Sequence, residues 1–466
     1  MSLPVLKVAV VGHTNTGKTS LLRTLTRDVT FGEVSNRAAT TRNVEATTLV
    51  IEGASALELF DTPGLEDSSG LLEHLDQRRR EAGCDWTDVI AAFLDEDGPQ
   101  GNFRQEAKAL SQLLTCDIAL YVVDARDHVH GKHKDELEIL GRSARPILPV
   151  LNFVADPEAK PDLWRAQLAR VNMHSVAAFD TVVLDELSEL QLYEKIRSLL
   201  DPFKETLDAV IADVTERRRA LRYASAALIA DLLIDAAAYV LTVPSEGEEP
   251  EREGLETLKQ TLRAGEQHCV EALLELHRFQ PGDYLSETLP IENGAWGLDL
   301  FSPESLAEFG LATGTAAATG ALAGLAVDAV VGGMTLGAAA LTGAAVGGLA
   351  GAVSSRGREL LDGLLGYREL RAEPQTLALL AHRQIALVRA LLRRGHANQE
   401  RLRLSEEDVK EDKKALGKAL LKALDGARHH LDWSRLLRSI SIERQSGRAS
   451  VEERLIAILL EALRGQ

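Results

Sequence analysis

The run Gly12-His13-Thr14-Asn15-Thr16-Gly17-Lys18-Thr19 constrains this chain more than any other feature. It follows the apolar run Val8 to Val11 and precedes Leu21 to Leu25, which places it between a strand and a helix. Glycines at its ends permit a tight wrap in which successive backbone N–H groups point at phosphate oxygens. The positive end of the following helix adds to the same site. Lys18 can reach the outer phosphates of a nucleoside triphosphate, and the Thr19 hydroxyl can bind Mg²⁺. The expected nucleotide contacts are Gly12, His13, Thr14, Asn15, Thr16, Gly17, Lys18, Thr19 and Ser20.

A second signal lies downstream, where Asp61-Thr62-Pro63-Gly64 closes the apolar run Leu57 to Phe60. Asp61 there can hold a magnesium-bound water, and Gly64 can turn its N–H toward a γ phosphate. Up to Leu200 short apolar runs alternate with polar stretches: Thr47 to Ile51, Ile118 to Val123, Ile147 to Phe153 and Val176 to Phe179 follow the two already named. This alternation predicts an α/β P-loop NTPase domain over 1–200 with a mostly parallel sheet, and an extended insertion at 66–112 holding one or more helices. The run Arg78 to Arg80 in that insertion reads as a helix face beside acids, or as a partner surface. His128, His130 and His133 read as an exposed loop, their spacing matching no common zinc pattern.

At 466 residues the chain exceeds one core, and with only 4% aromatic residues, alanine and leucine must supply most of the packing. After residue 200 the strand signal fades and helices are expected: a helical region at 201–308, a glycine-rich apolar hairpin at 309–355 and a helical C-terminal region at 356–466. The acidic run Glu246 to Glu253 with Pro250 reads as an exposed joint before a helix from Glu256 to Arg278. Further helices are expected over Pro374 to Arg394, Ser405 to Leu424 and Val451 to Leu463, with Ser405 and Asp408 as a capping box. In 311–355 only Asp328 is charged, and glycines recur four apart, as at Gly343, Gly347 and Gly351. Two helices there would each be about 32 Å long, enough to span a hydrocarbon core of roughly 30 Å. A glycine-packed hairpin inside a soluble helical domain has the same composition, and both readings stay open. Three scattered cysteines and no secretory leader give an intracellular expectation, cytoplasmic or at the inner face of the cytoplasmic membrane. A net charge of -18 disfavours nucleic acid as partner without excluding a local basic patch.

Three motifs, GHTNTGKT at 12–19, TTR at 40–42 and DTPG at 61–64, resemble the translation-factor-related class of GTPases, above all its Era and TrmE-like branch. The resemblance covers roughly Lys7 to Leu200, and the remainder looks like uncharacterised bacterial helical domains fused behind such GTPases. It implies GTP as ligand or substrate, Mg²⁺ held by Thr19, Thr41 and Asp61, and a catalytic set of Lys18, Thr41 and Gly64; Thr40 is the alternative to Thr41. It also implies a K⁺ held by Asn15. The chain departs from the pattern at Leu65, where many Ras-like proteins carry a water-positioning glutamine, so slow hydrolysis and an activating protein in trans are expected. It departs again at Asn152-Phe153-Val154-Ala155-Asp156, in place of N-K-x-D. Asn152 and Asp156 are the candidate base contacts, with Ser175 and Ala177 in the final base loop. The expected function is a GTP-binding switch with slow hydrolysis acting on a helical, membrane-associated domain. Its alternatives are a nucleotide-controlled structural or membrane-remodelling protein, self-associating through 309–355, and a ribosome or RNA assembly factor.

Overall fold

Strand β1 (Leu6–Val11) is buried on both faces, and its two sets of side chains explain the layered first half of the molecule. Successive residues of a strand point to opposite faces. Leu6, Val8 and Val10 accordingly join one core and Ala9 and Val11 the other. In this computed structural model residues 3–26, 44–51, 53–96, 101–182, 187–277, 291–292, 295–302, 304–305, 309, 366–393, 413–436 and 446–464 are described.

The elements that follow are α1 (Lys18–Thr26), β2 (Glu45–Ile51), β3 (Ala54–Asp61), α2 (Ser68–Ala82), α3 (Trp86–Glu96) and α4 (Arg104–Thr115). Next come β4 (Ile118–Asp124), α5 (Gly131–Gly141), β5 (Ile147–Asn152), α6 (Pro161–Arg170), β6 (Ala177–Ala178) and α7 (Ser188–Leu199). The sheet runs β2-β3-β1-β4-β5-β6, with β2 antiparallel to β3 and the other pairs parallel. One face is covered by α1, α7 and the start of α8 (Lys204–Ala238) through Leu21, Leu192 and Val210. The other carries α2 to α6 through Leu71, Ile90, Leu110, Leu137 and Trp164. The expected insertion thus contains α2, α3 and most of α4. The first of these is closed at its start by Asp67, whose carboxylate accepts from the Gly70 N–H, and at its end by left-handed Gly83.

The described residues fall into two compact units divided near Arg219. The second is mainly helical, and two expectations are corrected in it. Val240–Pro244 is a strand, β7, paired antiparallel with Tyr367–Arg371. Its partner lies more than a hundred residues away, so no local pattern announces it. Glu246 to Glu253 is no joint, because α9 already runs from Glu248 to Leu276. Pro250 falls in its first turn, where a missing N–H costs nothing, and three glutamates there suit the positive end of the helix dipole. Helices Pro374–Arg393, Lys413–Leu424 and Ser446–Leu463 complete the unit. The proposed Ser405 cap and the glycine-rich segment from 310 to 355 lie outside the described residues, and no described helix is long and apolar enough to cross a membrane.

Charge is buried in this unit, and it is paired. Asp231 and Asp235, four residues apart and so on one helix face, receive Arg435 and Arg448 at distances from 2.8 to 3.4 Å. Arg383, 1% exposed, meets Glu266 at 3.1 Å and stacks on Trp296 at 4.6 Å. Removing one partner of such a pair strands the other where it is ionised, so Arg383→Met should cost about 3 to 5 kcal/mol in denaturant unfolding above about pH 7 and less below it, where Glu266 is protonated. Burial outweighs Arg383 and raises the Glu266 carboxyl from its ordinary 4.5 to about 7. The folded chain therefore holds that proton more tightly, and this contribution to stability is lost as pH rises from about 4.5 through about 7. Unfolding midpoints of wild type should fall across that window more steeply than those of Glu266→Gln; parallel curves would refute the assignment.

Candidate nucleotide site

The site sits at the carboxyl ends of β1, β3 and β5, where ligands of open α/β sheets gather. Gly12 has φ +141° and Gly17 φ +90°. A Cβ on Gly12 would lie 2.4 Å from the Val122 carbonyl oxygen, and one on Gly17 would lie 2.2 Å from Asn152 Nδ2, so neither position admits a side chain. Asn15 takes φ 65°, a conformation asparagine tolerates, and its side chain is exposed. Between them Thr16 Oγ1 donates to the His13 carbonyl at 3.0 Å. The loop passes into α1 through the Leu21 N–H bond to the Gly17 carbonyl at 2.8 Å, and the carbonyl of Ser20, in the first turn, accepts from Thr24 Oγ1.

Lys18 is 7% exposed, and its Nζ donates to the carbonyls of His13 at 2.8 Å and Gly12 at 3.1 Å. Burial lowers its pKa, opposed by Asp61 and then by Glu136 and Glu66. An ammonium in that position is held ready for an anion, which would relieve the desolvation that now disfavours its charge. Thr19 Oγ1 donates to Asp61 Oδ2 at 2.5 Å in a buried place at the start of α1. This all-oxygen pair suits Mg²⁺, a hard cation. Among the described residues no three His, Cys, Asp or Glu side chains gather as an alternative metal site.

The end of β3 is drawn onto the loop. Thr62 Oγ1 donates to the Val10 carbonyl at 2.7 Å, and Gly64 lies so near Thr14 that a Cβ would stand 2.5 Å from its Oγ1. Leu65 is 1% exposed, packed in the core rather than facing the phosphate side. Thr40 and Thr41 lie outside the described residues.

The base side is built by Asn152, which is fully buried. Its Nδ2 donates to the Thr16 carbonyl at 3.0 Å, and its Oδ1 accepts from the N–H groups of Phe153 and Thr181 at 2.9 Å each and from Thr181 Oγ1 at 3.1 Å. Thr181 is the loop residue that meets Asn152, whereas Ala177 is inside β6 opposite Val150, with half-buried Ser175 just before the strand. Phe153 adopts φ 57°, and the Arg126 guanidinium lies 4.0 Å over its ring while forked on Asp124 at 2.9 and 2.7 Å. Ala155 donates its N–H to Asp180 Oδ2 at 2.9 Å. Asp156 accepts from the Glu158 N–H at 2.8 Å and lies 3.9 Å from Arg126. Thr181, Asp180 and Arg126 escaped the sequence reading because their roles depend on loops that meet only across the sheet. Of the three histidines expected in an exposed loop, His128 and His130 are exposed ahead of α5, and only His133 is corrected: it is buried in the first turn of α5, and burial lowers its pKa to about 4.

Residues 7–153 match the model of the 50S ribosome-binding GTPase family, and residues 165–457 match that of the Domain of unknown function (DUF3482). Among curated proteins the chain is similar to the tRNA modification GTPase MnmE of Synechococcus sp. (strain CC9605), 33% identical over 134 residues, covering 29% of each chain. It is also similar to the MnmE of Bacteroides thetaiotaomicron, 21% identical over 210 residues, covering 45% of this chain and 44% of that one. The chain thus spans under half the length of these relatives. Among solved structures, a single-residue variant of Aquifex aeolicus Era bound to GDP.AlF4- aligns at 17% identity over 42% of this chain and 57% of that one, with a TM-score of 0.30.

Asn152→Ala would strand the Thr16 carbonyl and the Thr181 N–H in the interior, at about 1 to 3 kcal/mol for each unsatisfied group. Denaturant unfolding of the nucleotide-free variant should show a loss of about 2 to 6 kcal/mol for the two groups together, and titration should show weaker nucleotide binding. Unchanged stability would mean that this bridge does not hold the loop.

Proposed function

The chain belongs to the DUF3482 family, and from that membership, with a GTPase domain ahead of the family's helical region, we propose a GTP-driven switch whose slow hydrolysis controls the helical part. The observation that carries the reading is the buried contact of Thr19 with Asp61, beside a Gly64 pressed against the phosphate loop. In this arrangement the group that senses magnesium and the glycine that senses the γ phosphate belong to one chain segment. Thr19 and Asp61, completed by Thr41, would hold Mg²⁺, which when bound neutralises charge on the transferring phosphate. Lys18 adds its ammonium to the same oxygens, and Gly64 supplies its N–H. Leu65 is buried and offers no polar atom to a water, so turnover is slow until a K⁺ at Asn15 or a partner in trans assists. Ala155 stands where a carboxylate would pair with guanine, so discrimination against ATP is modest, below about 100-fold, compared with roughly 10⁴ to 10⁵ for sites built to read a polar group.

The test is equilibrium binding of GTP and ATP with Mg²⁺, and GTP hydrolysis in K⁺ and in Na⁺, for wild type and Lys18→Ala. GTP should bind saturably, Lys18→Ala should weaken it by about 10- to 100-fold, and K⁺ should accelerate hydrolysis. No Mg²⁺-dependent GTP binding would end the proposal, and equal rates in the two salts would remove Asn15 from it.

From sequence alone we further propose that the segment 309–355, with Asp328 as its one charge over 311–355 and Arg356 and Arg358 after it, associates with the cytoplasmic membrane face and supplies the other half of the switch. Full-length chain should float with liposomes while a chain lacking 309–355 stays below; identical sedimentation would assign that segment to a protein interior.

A further inference from the structure

His13, the second residue of the phosphate loop, has both ring nitrogens engaged. Nδ1 lies 2.8 Å from Glu136 Oε1 and 3.2 Å from the Leu65 carbonyl oxygen, and Nε2 lies 2.7 Å from Lys132 Nζ. Both partners of Nδ1 are acceptors, and an ammonium can only donate, so the contacts assign the neutral imidazole with its proton on Nδ1. Glu136 is wholly buried, and its second oxygen accepts from Tyr121 OH at 2.6 Å. Tyr121 is held in its protonated, donating form, since burial first and Glu136 second raise its pKa. The carboxylate is thereby oriented from the central strand β4 and aims its other oxygen at His13.

The chain after Gly64 is fastened to the same helix. Ser68 Oγ donates to the Lys132 carbonyl at 3.0 Å, and Ser69 Oγ to Asp135 Oδ2 at 2.5 Å. Across the segment, Glu106 Oε1 accepts from the N–H groups of Glu66 at 3.1 Å and Asp67 at 2.9 Å. Beside the packing of Gly64 against Thr14, the imidazole gives residues 64–69 a hydrogen-bonded link into the phosphate loop.

We propose that His13 is a positioning residue: locked as one tautomer between Lys132 and Glu136, it shares its one Nδ1 proton between the Glu136 carboxylate at 2.8 Å and the Leu65 carbonyl at 3.2 Å and so sets where the Gly64 N–H stands relative to the γ phosphate. The role rests on the GTPase reading above. It differs from simple packing because it needs a donor at the Nδ1 position and an acceptor at Nε2. Asparagine places an amide N–H near the Nδ1 position, and glutamine places its amide near Nε2. A misplaced reacting group costs up to about 100-fold in rate even when ligand binding survives.

Single-turnover GTP hydrolysis and GDP affinity would be measured for wild type, H13N, H13Q and E136Q, with K132M as a second route should E136Q not fold. The rate should fall roughly 10- to 100-fold in H13Q and E136Q, and H13N should keep at least about tenfold more of it than H13Q. GDP affinity of E136Q and K132M, whose substitutions lie on α5 outside the phosphate loop, should stay within about threefold, because diphosphate binding does not use Gly64. K132M, whose imidazole is free to change tautomer, should lose about threefold or more in rate. Equal losses in H13N and H13Q, or rate losses in E136Q and K132M matched by losses of GDP affinity, would overturn the proposal. A wild type that binds GTP without turnover would instead defeat the hydrolysis reading. The positioning role would then be decided by trypsin cleavage at Arg78 to Arg80 with a non-hydrolysable GTP analogue. Protection in wild type and H13N but not in H13Q sustains it, and identical protection in all three rejects it.

Discussion

A lysine ammonium with 7% of its surface exposed is the constraint around which the first unit is arranged. Lys18 can be buried only because the loop wraps back on it, presenting the Gly12 and His13 carbonyls as acceptors. That wrap demands positive φ at Gly12 and Gly17 and leaves no room for a Cβ at either. The neighbours must then conform: Val122 passes against Gly12, and the Asn152 amide fits beside Gly17 and ties the loop to Thr181. The sheet order brings these strand ends to one edge of the domain, so a purely local loop becomes a site with three walls.

Acidic side chains, unusual beside an anion site, do the opposite work on the far side of the loop. Glu106, Glu136 and Asp135 all accept hydrogen bonds from residues 66–69 or from His13, which fastens that segment in place. Glu136 tolerates full burial because Tyr121 and His13 both donate to it. The second unit pairs its buried charge in the same way, in the arginine contacts of Asp231, Asp235 and Glu266. A composition with so few aromatics leaves alanine and leucine to fill space, and the charges buried among them are met by partners.

Several features were legible in the linear chain for a shared reason. Strands β1, β4 and β5 announce themselves because strands buried on both faces are continuous apolar runs, and the loop because its wrap requires glycine at two stated positions. Helices α2 and α3 fall in the charged insertion where helices were expected. The second-unit strand β7 was not legible, since five residues of β propensity mean little until Tyr367–Arg371 arrives to pair with them. Pro250 misled for a related reason: the same residue marks a break inside a helix and a favourable start at its first turn.

The sequence by itself therefore determined the glycine spacing of the loop at 12–19, the hydroxyl at Thr19 and the carboxylate at Asp61 as candidate magnesium ligands, an apolar residue at Leu65, and Phe153 and Ala155 in place of a lysine and an acid after Asn152. These are properties of residue type at a spacing, and local backbone geometry is enough to express them. Only the tertiary structure decided that Thr181 meets Asn152, that Arg126 covers Phe153, and that His13 stands between Lys132, Glu136 and Leu65. Each of these joins residues on different elements, and a hydrogen bond within 3.2 Å is set by strand order and helix placement, which spacing along the chain does not encode.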